Sequence, residues 1–345
     1  GAISVAGDFA QTTTTCGTTL PAATSCVLTI NFTPTSAGLR RGSLGIASDA
    51  PGSPLLVALS GMSLAPGAAI AAGAGYTLAI RSDGNMWAWG QNTNGQLGDG
   101  NAESRYKPVQ IGGGYASVVA GRGSSTDANM PGEFSLAIKA DGGTLWAWGN
   151  NNYGQLGDGT TIERRKPVQI GSGYSSVALG QAHALALKQD GSLWAWGNNY
   201  FGQLGDNTSL DRNAPTQVGT GFVTIAAGRN HSLALKSDGS LWAWGYNHDG
   251  QLGNGSTAQR TAPVRIGEGY SAITAGGDFS LALKSDGGAW AWGSNPYGLG
   301  DGATMQSAMP VNVAGGGYSA VAAGMHHMLA LKGDGSLLAW GRNDH

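Results

Sequence analysis

Residues 214–255 read APTQVGTGFVTIAAGRNHSLALKSDGSLWAWGYNHDGQLGNG. Four short apolar segments stand out: PTQV near Pro215 (segment a), FVTIAA from Phe222 (b), SLALK from Ser232 (c) and SLWAWG from Ser240 (d). Segments c and d alternate with period two, the mark of a strand. Trp242 and Trp244 therefore share one face of d, while Leu241 and Ala243 share the other. The SDGS between c and d is a tight turn in which Gly239 takes positive φ without steric cost. No segment carries a long 3.6-residue period, so no helix is expected.

The unit recurs. WAWG begins at Trp87, Trp146, Trp194, Trp242 and Trp290, and a sixth copy, LAWG, begins at Leu338. The last four intervals are 48 residues and the first is 59, so about 11 extra residues separate the first two copies. All 11 tryptophans lie in these six copies. Four antiparallel strands in a unit of this length describe one blade of an all-β propeller. A lone blade cannot bury a face carrying two indoles, so stability must come from stacking neighbours. The second tryptophan of each copy, Trp89, Trp148, Trp196, Trp244, Trp292 and Trp340, is assigned to that structural role.

The composition agrees. Of 345 residues, 60 are Gly, 41% are apolar and 12% are charged. Disorder requires low hydrophobicity with high net charge, and neither is present. A net charge of −2 gives no basic footprint for nucleic acid. No apolar run reaches the roughly 18–20 residues that span a bilayer.

The run AAGRNHSLALKSDGSLWAWGYNHDGQLGNG, residues 226–255, resembles the regulator-of-chromosome-condensation repeat, with Asn254 in place of its usual Asp. The resemblance covers residues 66–345 and implies a propeller, most often seven-bladed in that family. The chain shows six copies and ends at Arg342–His345, where the next GQLGDG loop would begin. The expectation is a seven-bladed ring cut short at its C-terminus, with a first unit lacking segment a before Ala69.

Residues 1–65 differ: they are Thr-rich and lack tryptophan. SCVLTINFTPTSAGLRRGSLGIAS reads as two strands around a Thr-Pro-Thr-Ser-Ala-Gly turn, and PLLVALSG as a third. The order Gly7-Asp8-Phe9, Cys16, Cys26, Phe32-Thr33-Pro34 and Ser48 to Pro54 resembles the C-terminal part of the immunoglobulin-like modules of bacterial surface proteins. It implies a partial β-sandwich, joined to the propeller by residues 63–67. Cys16 and Cys26 either close a short loop as a disulfide or remain two small hydrophobes; the bond is the preferred reading. A bond would suit an oxidising compartment, and with the resemblance it points to an extracellular or cell-surface setting in bacteria.

Alternating strands put the b–c and d–a loops at one end of each unit and the c–d turn at the other. The c–d turn is monotonous, with Arg81/Asp83 and then five Lys/Asp pairs from Lys139/Asp141 to Lys332/Asp334. It reads as a solvated turn with local charge pairing. The other end varies. Its b–c loops carry Gln181, Arg229-Asn230, Asp278 and Met325-His326, and the insertion falls mainly between Arg122 and Glu133, with Asp127 inside it. Its d–a loops carry Tyr153, Tyr200-Phe201, Tyr246, His248 and Tyr297. Unlike polar groups, aromatics and Arg on a rigid scaffold are the typical anchors of a protein interface. These residues are the candidate partner-binding set.

Catalytic and metal motifs are absent. The His of AGxxHSLAL, at His183, His231 and His327, is Tyr76, Phe134 and Phe279 in the other copies, so the position serves shape or one hydrogen bond rather than general-base chemistry. One carboxylate per GQLGDG loop is too sparse for calcium. No cofactor, metal or enzymatic activity is expected. The reading is a monomeric, non-enzymatic scaffold that binds a protein, with inhibition of an extracellular enzyme as one form of it. Two alternatives are carried. The family resemblance implies nucleotide exchange on a small GTPase. A carbohydrate-active propeller enzyme would need Asp127, Glu133, Asp249, Glu268 and Asp278 to converge.

Overall fold

The computed structural model describes residues 3–7, 9–14, 28–32, 38–46, 55–63, 69–121, 133–294, 296–303 and 306–342. Every regular element among them is a strand, and no helix is long and apolar enough to cross a membrane. The chain divides into two compact units, Gly1–Gly67 and Ala68–His345.

The first unit holds β1 (Ile3–Ala6), β2 (Phe9–Thr14), β3 (Leu28–Phe32), β4 (Gly38–Ile46) and β5 (Leu55–Ser63). They form two sheets, ordered β1-β4-β5 and β2-β3. The two strands expected to flank one Thr-Pro turn, β3 and β4, thus pair with other partners in separate sheets. Cys16 and Cys26 lie outside the described residues.

The second unit is a succession of sheets. The first contains β6 (Ala69–Ala72), β7 (Tyr76–Ile80), β8 (Met86–Gly90) and β9 (Arg105–Gly112); the second β10 (Tyr115–Ala120), β11 (Phe134–Lys139), β12 (Leu145–Gly149) and β13 (Arg164–Gly171). The third contains β14 (Tyr174–Leu179), β15 (His183–Lys188), β16 (Leu193–Gly197) and β17 (Arg212–Gly219); the fourth β18 (Phe222–Ala227), β19 (His231–Lys236), β20 (Leu241–Gly245) and β21 (Arg260–Gly267). The fifth contains β22 (Tyr270–Ala275), β23 (Phe279–Lys284), β24 (Ala289–Gly293) and β25 (Ser307–Asn312); the sixth β26 (Tyr318–Ala323), β27 (His327–Lys332) and β28 (Leu337–Gly341). Each sheet is antiparallel in chain order. The b strands β6, β10, β14, β18, β22 and β26 neighbour one another across sheets, so they form the inner edge, as in a β-propeller.

Segment a is placed differently from the sequence reading. PTQV belongs to β17, which pairs with β16 of the preceding repeat rather than with β18 that follows it. The sheet is therefore b-c-d plus the a of the next repeat. The first sheet is four-stranded without an a segment before Ala69, because β9 supplies it. The cause is local. Thr220-Gly221 joins β17 to β18, and Gly221 at φ 78° carries the chain into the next sheet instead of closing a hairpin.

Packing follows the alternation of strand d. Trp244 is fully buried against Leu185, Leu193, Ala195 and Leu204 of the third sheet. On the other face Leu241 and Ala243 receive Trp292 of the fifth. The indole of Trp244 donates to the Gln203 carbonyl at 2.9 Å. Ser232 Oγ donates to the same oxygen at 2.7 Å and lies 3.0 Å from His231's counterpart one sheet back, His183 Nε2. Since the serine proton is committed to Gln203, the His183 ring carries its proton on Nε2. Burial pushes His183 and His231 down to about 3, so both are neutral. Trp148, Trp196 and Trp292 repeat the bond to Gln96, Gln155 and Gln251. The loop must come close: a Cβ on Gly205, at φ 79°, would lie 2.7 Å from the Trp244 indole nitrogen.

The end sheets differ. Trp89 and Trp340 are half-buried, and the buried Trp340 Nε1 has no partner. The fifth d–a loop reads YGLGDG and lacks the glutamine whose carbonyl would meet it.

The c–d turn also differs from expectation. Lys188 Nζ sits 5.1 Å from the Tyr174 ring centroid and 4.5 Å from that of Trp194, and Lys139, Lys236 and Lys284 are sandwiched likewise. The Asp caps the turn instead: Asp238 Oδ1 accepts from the Ser240 N–H at 2.9 Å and from its Oγ, which in turn accepts the Trp242 indole at 3.0 Å. These bonds hold the Asp238 carboxyl below its usual range.

Trp244→Phe, which loses a satisfied buried donor and leaves a small void, is expected to destabilise the protein by about 1–2 kcal/mol. Trp340→Phe removes a donor that has no partner and is expected to cost clearly less. Denaturation midpoints of the two variants check this; equal losses would contradict the role given to the bond.

Candidate protein interface

The rim at the b–c and d–a end is built on two sets of backbone bonds. The b–c loops are linked sheet to sheet: Gln181 N–H donates to Arg229 O, Arg229 N–H to Gly277 O and Gly277 N–H to Met325 O, at 2.9–3.1 Å. In the d–a loops a glutamine side chain clamps the tip. Gln155, Gln203 and Gln251 Oε1 each accept from the N–H of Tyr153, Phe201 and Asp249 at 2.9 Å. Each loop starts at the glycine ending strand d. Gly245 has φ 101°, and a Cβ there would meet Asn230 O at 2.6 Å.

On this frame the candidate aromatics come together. Tyr200 and Phe201 meet edge to face at 4.8 Å between centroids, Phe201 and Tyr246 lie 4.7 Å apart, and Tyr246 stacks on His248 at 6.3 Å. Tyr200 is 71% exposed, so its ring is not packed between sheets. Tyr153, Gln181 and Asn230 border a recess of about 300 Å³ together with Asn198, Tyr200 and Phe201. Further along, Arg229 Nη1 pairs with Asp278 Oδ2 at 2.9 Å. Burial raises the Asp278 carboxyl, and Arg229 partly offsets that. Tyr297, Met325 and His326 line the same recess, about 200 Å³ in volume. The Tyr297 and His326 rings are 5.9 Å apart.

Three further candidates stand apart from this description. Arg122 and Asp127 lie outside the described residues. Glu133 is inside the fold, not on the rim: it is fully buried and accepts from Gly75 N–H at 3.0 Å and Gln96 Nε2 at 2.8 Å. It takes the place of the loop-to-loop backbone bond beside the long insertion. Burial raises its carboxyl, and its partners are neutral donors. Sequence reasoning missed Asn198 and Arg342, and weighed Asp249 only as an acid of an enzyme site. Arg342 lies over the Tyr297 ring at 5.7 Å. Its signal was its position: it follows the glycine of the last copy, where Tyr246 also stands.

The carboxylates of the d–a loops are engaged locally. Arg105, Arg164 and Arg212 pair with Asp99, Asp158 and Asp206 at 2.6–2.7 Å. Among the described residues no cluster of three His, Cys, Asp or Glu could hold a metal ion. Asp127 aside, the acids weighed for an enzyme include Glu133 in the interior and Glu268 paired with Arg265 at 2.7 Å.

The family model of the RCC1-like domain matches residues 37–345, beginning inside the first unit. The chain is 34% identical over 122 residues to the E3 ubiquitin-protein ligase HERC2 of Homo sapiens, covering 34% of this chain and 2% of that protein. It is 30% identical over 129 residues to the ultraviolet-B receptor UVR8 of Arabidopsis thaliana, covering 35% and 27%. It thus spans a minor part of these relatives. Among solved structures, human WBSCR16 superposes with a TM-score of 0.69 at 23% identity, over 86% of this chain and 83% of that one. Yeast RCC1 (Prp20), solved bound to Kap60, gives 0.64 at 26% identity, over 79% and 69%. A second structure of Prp20p from Saccharomyces cerevisiae, described with its binding to Gsp1p and histones, gives the same score over 79% and 71%.

A raised carboxyl means that the folded state binds the Glu133 proton more tightly than the unfolded state. Its contribution is present at acidic pH and is lost as pH rises through the folded value. The thermal midpoint of the wild type minus that of Glu133→Gln is expected to shrink as pH rises from about 4 to 8. A difference that grows with pH would reverse the assignment.

Proposed function

The chain belongs to the RCC1-like domain family, and on that premise we propose that it is a non-enzymatic scaffold that binds a protein partner through the b–c and d–a rim. The observation that carries this reading is the continuous series Tyr200, Phe201, Tyr246 and His248, held at 4.7–6.3 Å on loops whose backbones are fixed. Preformed aromatics beside a partly buried Arg229–Asp278 pair are what interface hot spots are made of. Rigid loops also lower the entropy lost on association. The similarity to Prp20, solved with Kap60 and described with Gsp1p and histones, supports a protein as the partner.

The proposal extends to the setting. The Cys16/Cys26 spacing and the separate N-terminal strands favour a secreted or surface protein of bacteria, where blocking an extracellular enzyme would be one use of the rim.

Partner capture by the wild type is compared with capture by a variant carrying Tyr200→Ala, Phe201→Ala, Arg229→Ala and Tyr246→Ala. Anchors of this kind cost about 2 kcal/mol or more each when truncated, so capture by the folded variant is expected to vanish. Undiminished capture would remove the rim from the binding site. A captured small GTPase whose nucleotide release is accelerated would replace the scaffold reading by exchange.

A further inference from the structure

The recess between the second, third and fourth sheets has a chemistry that its neighbour lacks. Its bordering side chains are Tyr153, Gln181, Asn198, Tyr200, Phe201 and Asn230, three rings and three carboxamides with no charge among them. One sheet further on, the equivalent space is lined by the Arg229–Asp278 ion pair. We propose that this uncharged recess binds a neutral pyranose unit of a glycan.

Four observations lead there. The rings are fixed: the tip N–H groups of Tyr153 and Phe201 are bonded to glutamine side chains, and Phe201 is wedged between Tyr200 and Tyr246. The exposed ring of Tyr200, set edge-on against Phe201, offers a flat apolar surface, which suits the C–H face of a pyranose. The polar groups differ: Asn198 is held at both ends, its Nδ2 donating to Asp211 Oδ1 at 3.3 Å and its Oδ1 accepting from Gln203 Nε2 at 2.6 Å, whereas the side-chain amide of Asn230 has no partner among the described residues. That amide offers two donors and an acceptor, a complement to adjacent hydroxyls that each donate and accept. The volume, about 300 Å³, stands at the small end of ligand pockets, which run about 300–1,000 Å³. The absence of charge selects among occupants. A charged side chain of a protein would find no counter-ion in the recess, and an apolar one would strand the Asn230 amide. A ligand with one apolar face and an edge of neutral hydroxyls leaves neither problem.

The proposal does not rest on the protein-partner reading, and the two are separable: saccharide binding is read with purified chain alone. The whole chain is titrated with methyl glycosides of glucose, galactose, mannose and N-acetylglucosamine, with short oligosaccharides of each and with methyl sialoside, by ligand-observed NMR and calorimetry. At least one neutral saccharide is expected to bind and the anionic sialoside not to. Tyr200→Ala and Asn230→Ala should each weaken binding by about tenfold, while Tyr200→Phe keeps the stacking face and loses little. Tyr297→Ala, on the neighbouring recess, should leave binding unchanged. Thermal midpoints establish that each variant is folded. No binding by any neutral saccharide, binding that survives both alanine variants, or stronger binding of the sialoside would overturn the proposal.

Discussion

The bond from the indole N–H of Trp148, Trp196, Trp244 and Trp292, the second tryptophan of four WxWG strands, to the carbonyl of a glutamine in the preceding sheet's loop is the contact on which the stack depends. Trp244 to Gln203 and Trp292 to Gln251 are typical. The contact joins two things that must happen together. Burying the indole removes a large apolar area from water, in the range of about 150–250 Å². That burial is favourable only if the N–H finds an acceptor. The GQLG loop supplies the acceptor, and its glycines let the loop lie on the ring. The serine of segment c donates to the same carbonyl, and the histidine of the sheet behind bonds that serine rather than the carbonyl, so indole, serine and histidine are linked through one oxygen. The bond also survives the 59-residue first interval, where Trp148 still reaches Gln96, because the insertion falls mainly in a b–c loop outside the contact.

The rim inherits its order from this latch. Because the Gln203 main chain is fixed by Trp244, its side chain is free to reach back and hold the N–H of Phe201 with Oε1 and the Asn198 side chain with Nε2. Burial of the core thus fixes backbone at the surface. Where the partner side chain differs, the bond is lost: Tyr246 stands in the place of Asn198, and Gln251 Nε2 has no acceptor. Beside the long insertion the rim is closed instead by Glu133, whose buried carboxylate stands in for a loop carbonyl.

Much of this architecture was legible in the sequence, because period-two alternation and a 48-residue recurrence are direct consequences of strands stacked in register. The two ends of each unit were legible too, since antiparallel order fixes which loops share a side. What escaped was whatever depends on partners distant in sequence. The membership of segment a is set by its pairing with strand d of the preceding repeat and not by its own pattern. Lys188 beside Asp190 looked like an ion pair, but the packing brings two rings to the ammonium, while Asp190 spends its oxygen on Ser192. Glu133 looked exposed because it borders an insertion, and only the fold reveals the two N–H groups that need it. In the first unit, β3 and β4 looked like a hairpin from their turn residues, yet each pairs with another strand.

Each d–a loop therefore performs two tasks with separate sets of atoms. Its inner half, Gln-Leu-Gly, is constrained by the indole on one side and the buried leucine on the other. Its tip is held only through main-chain N–H groups, which every residue but proline possesses. The tip position preceding the loop glycine is accordingly Asn94, Tyr153, Phe201, Asp249 and Tyr297 within one chain, and the first four use the same bond to glutamine. Side chains there change the chemistry of the rim without touching what holds the sheets together. That separation lets one repeat produce an uncharged recess beside Tyr153 and Asn230 and, one sheet away, a charged one around Arg229 and Asp278.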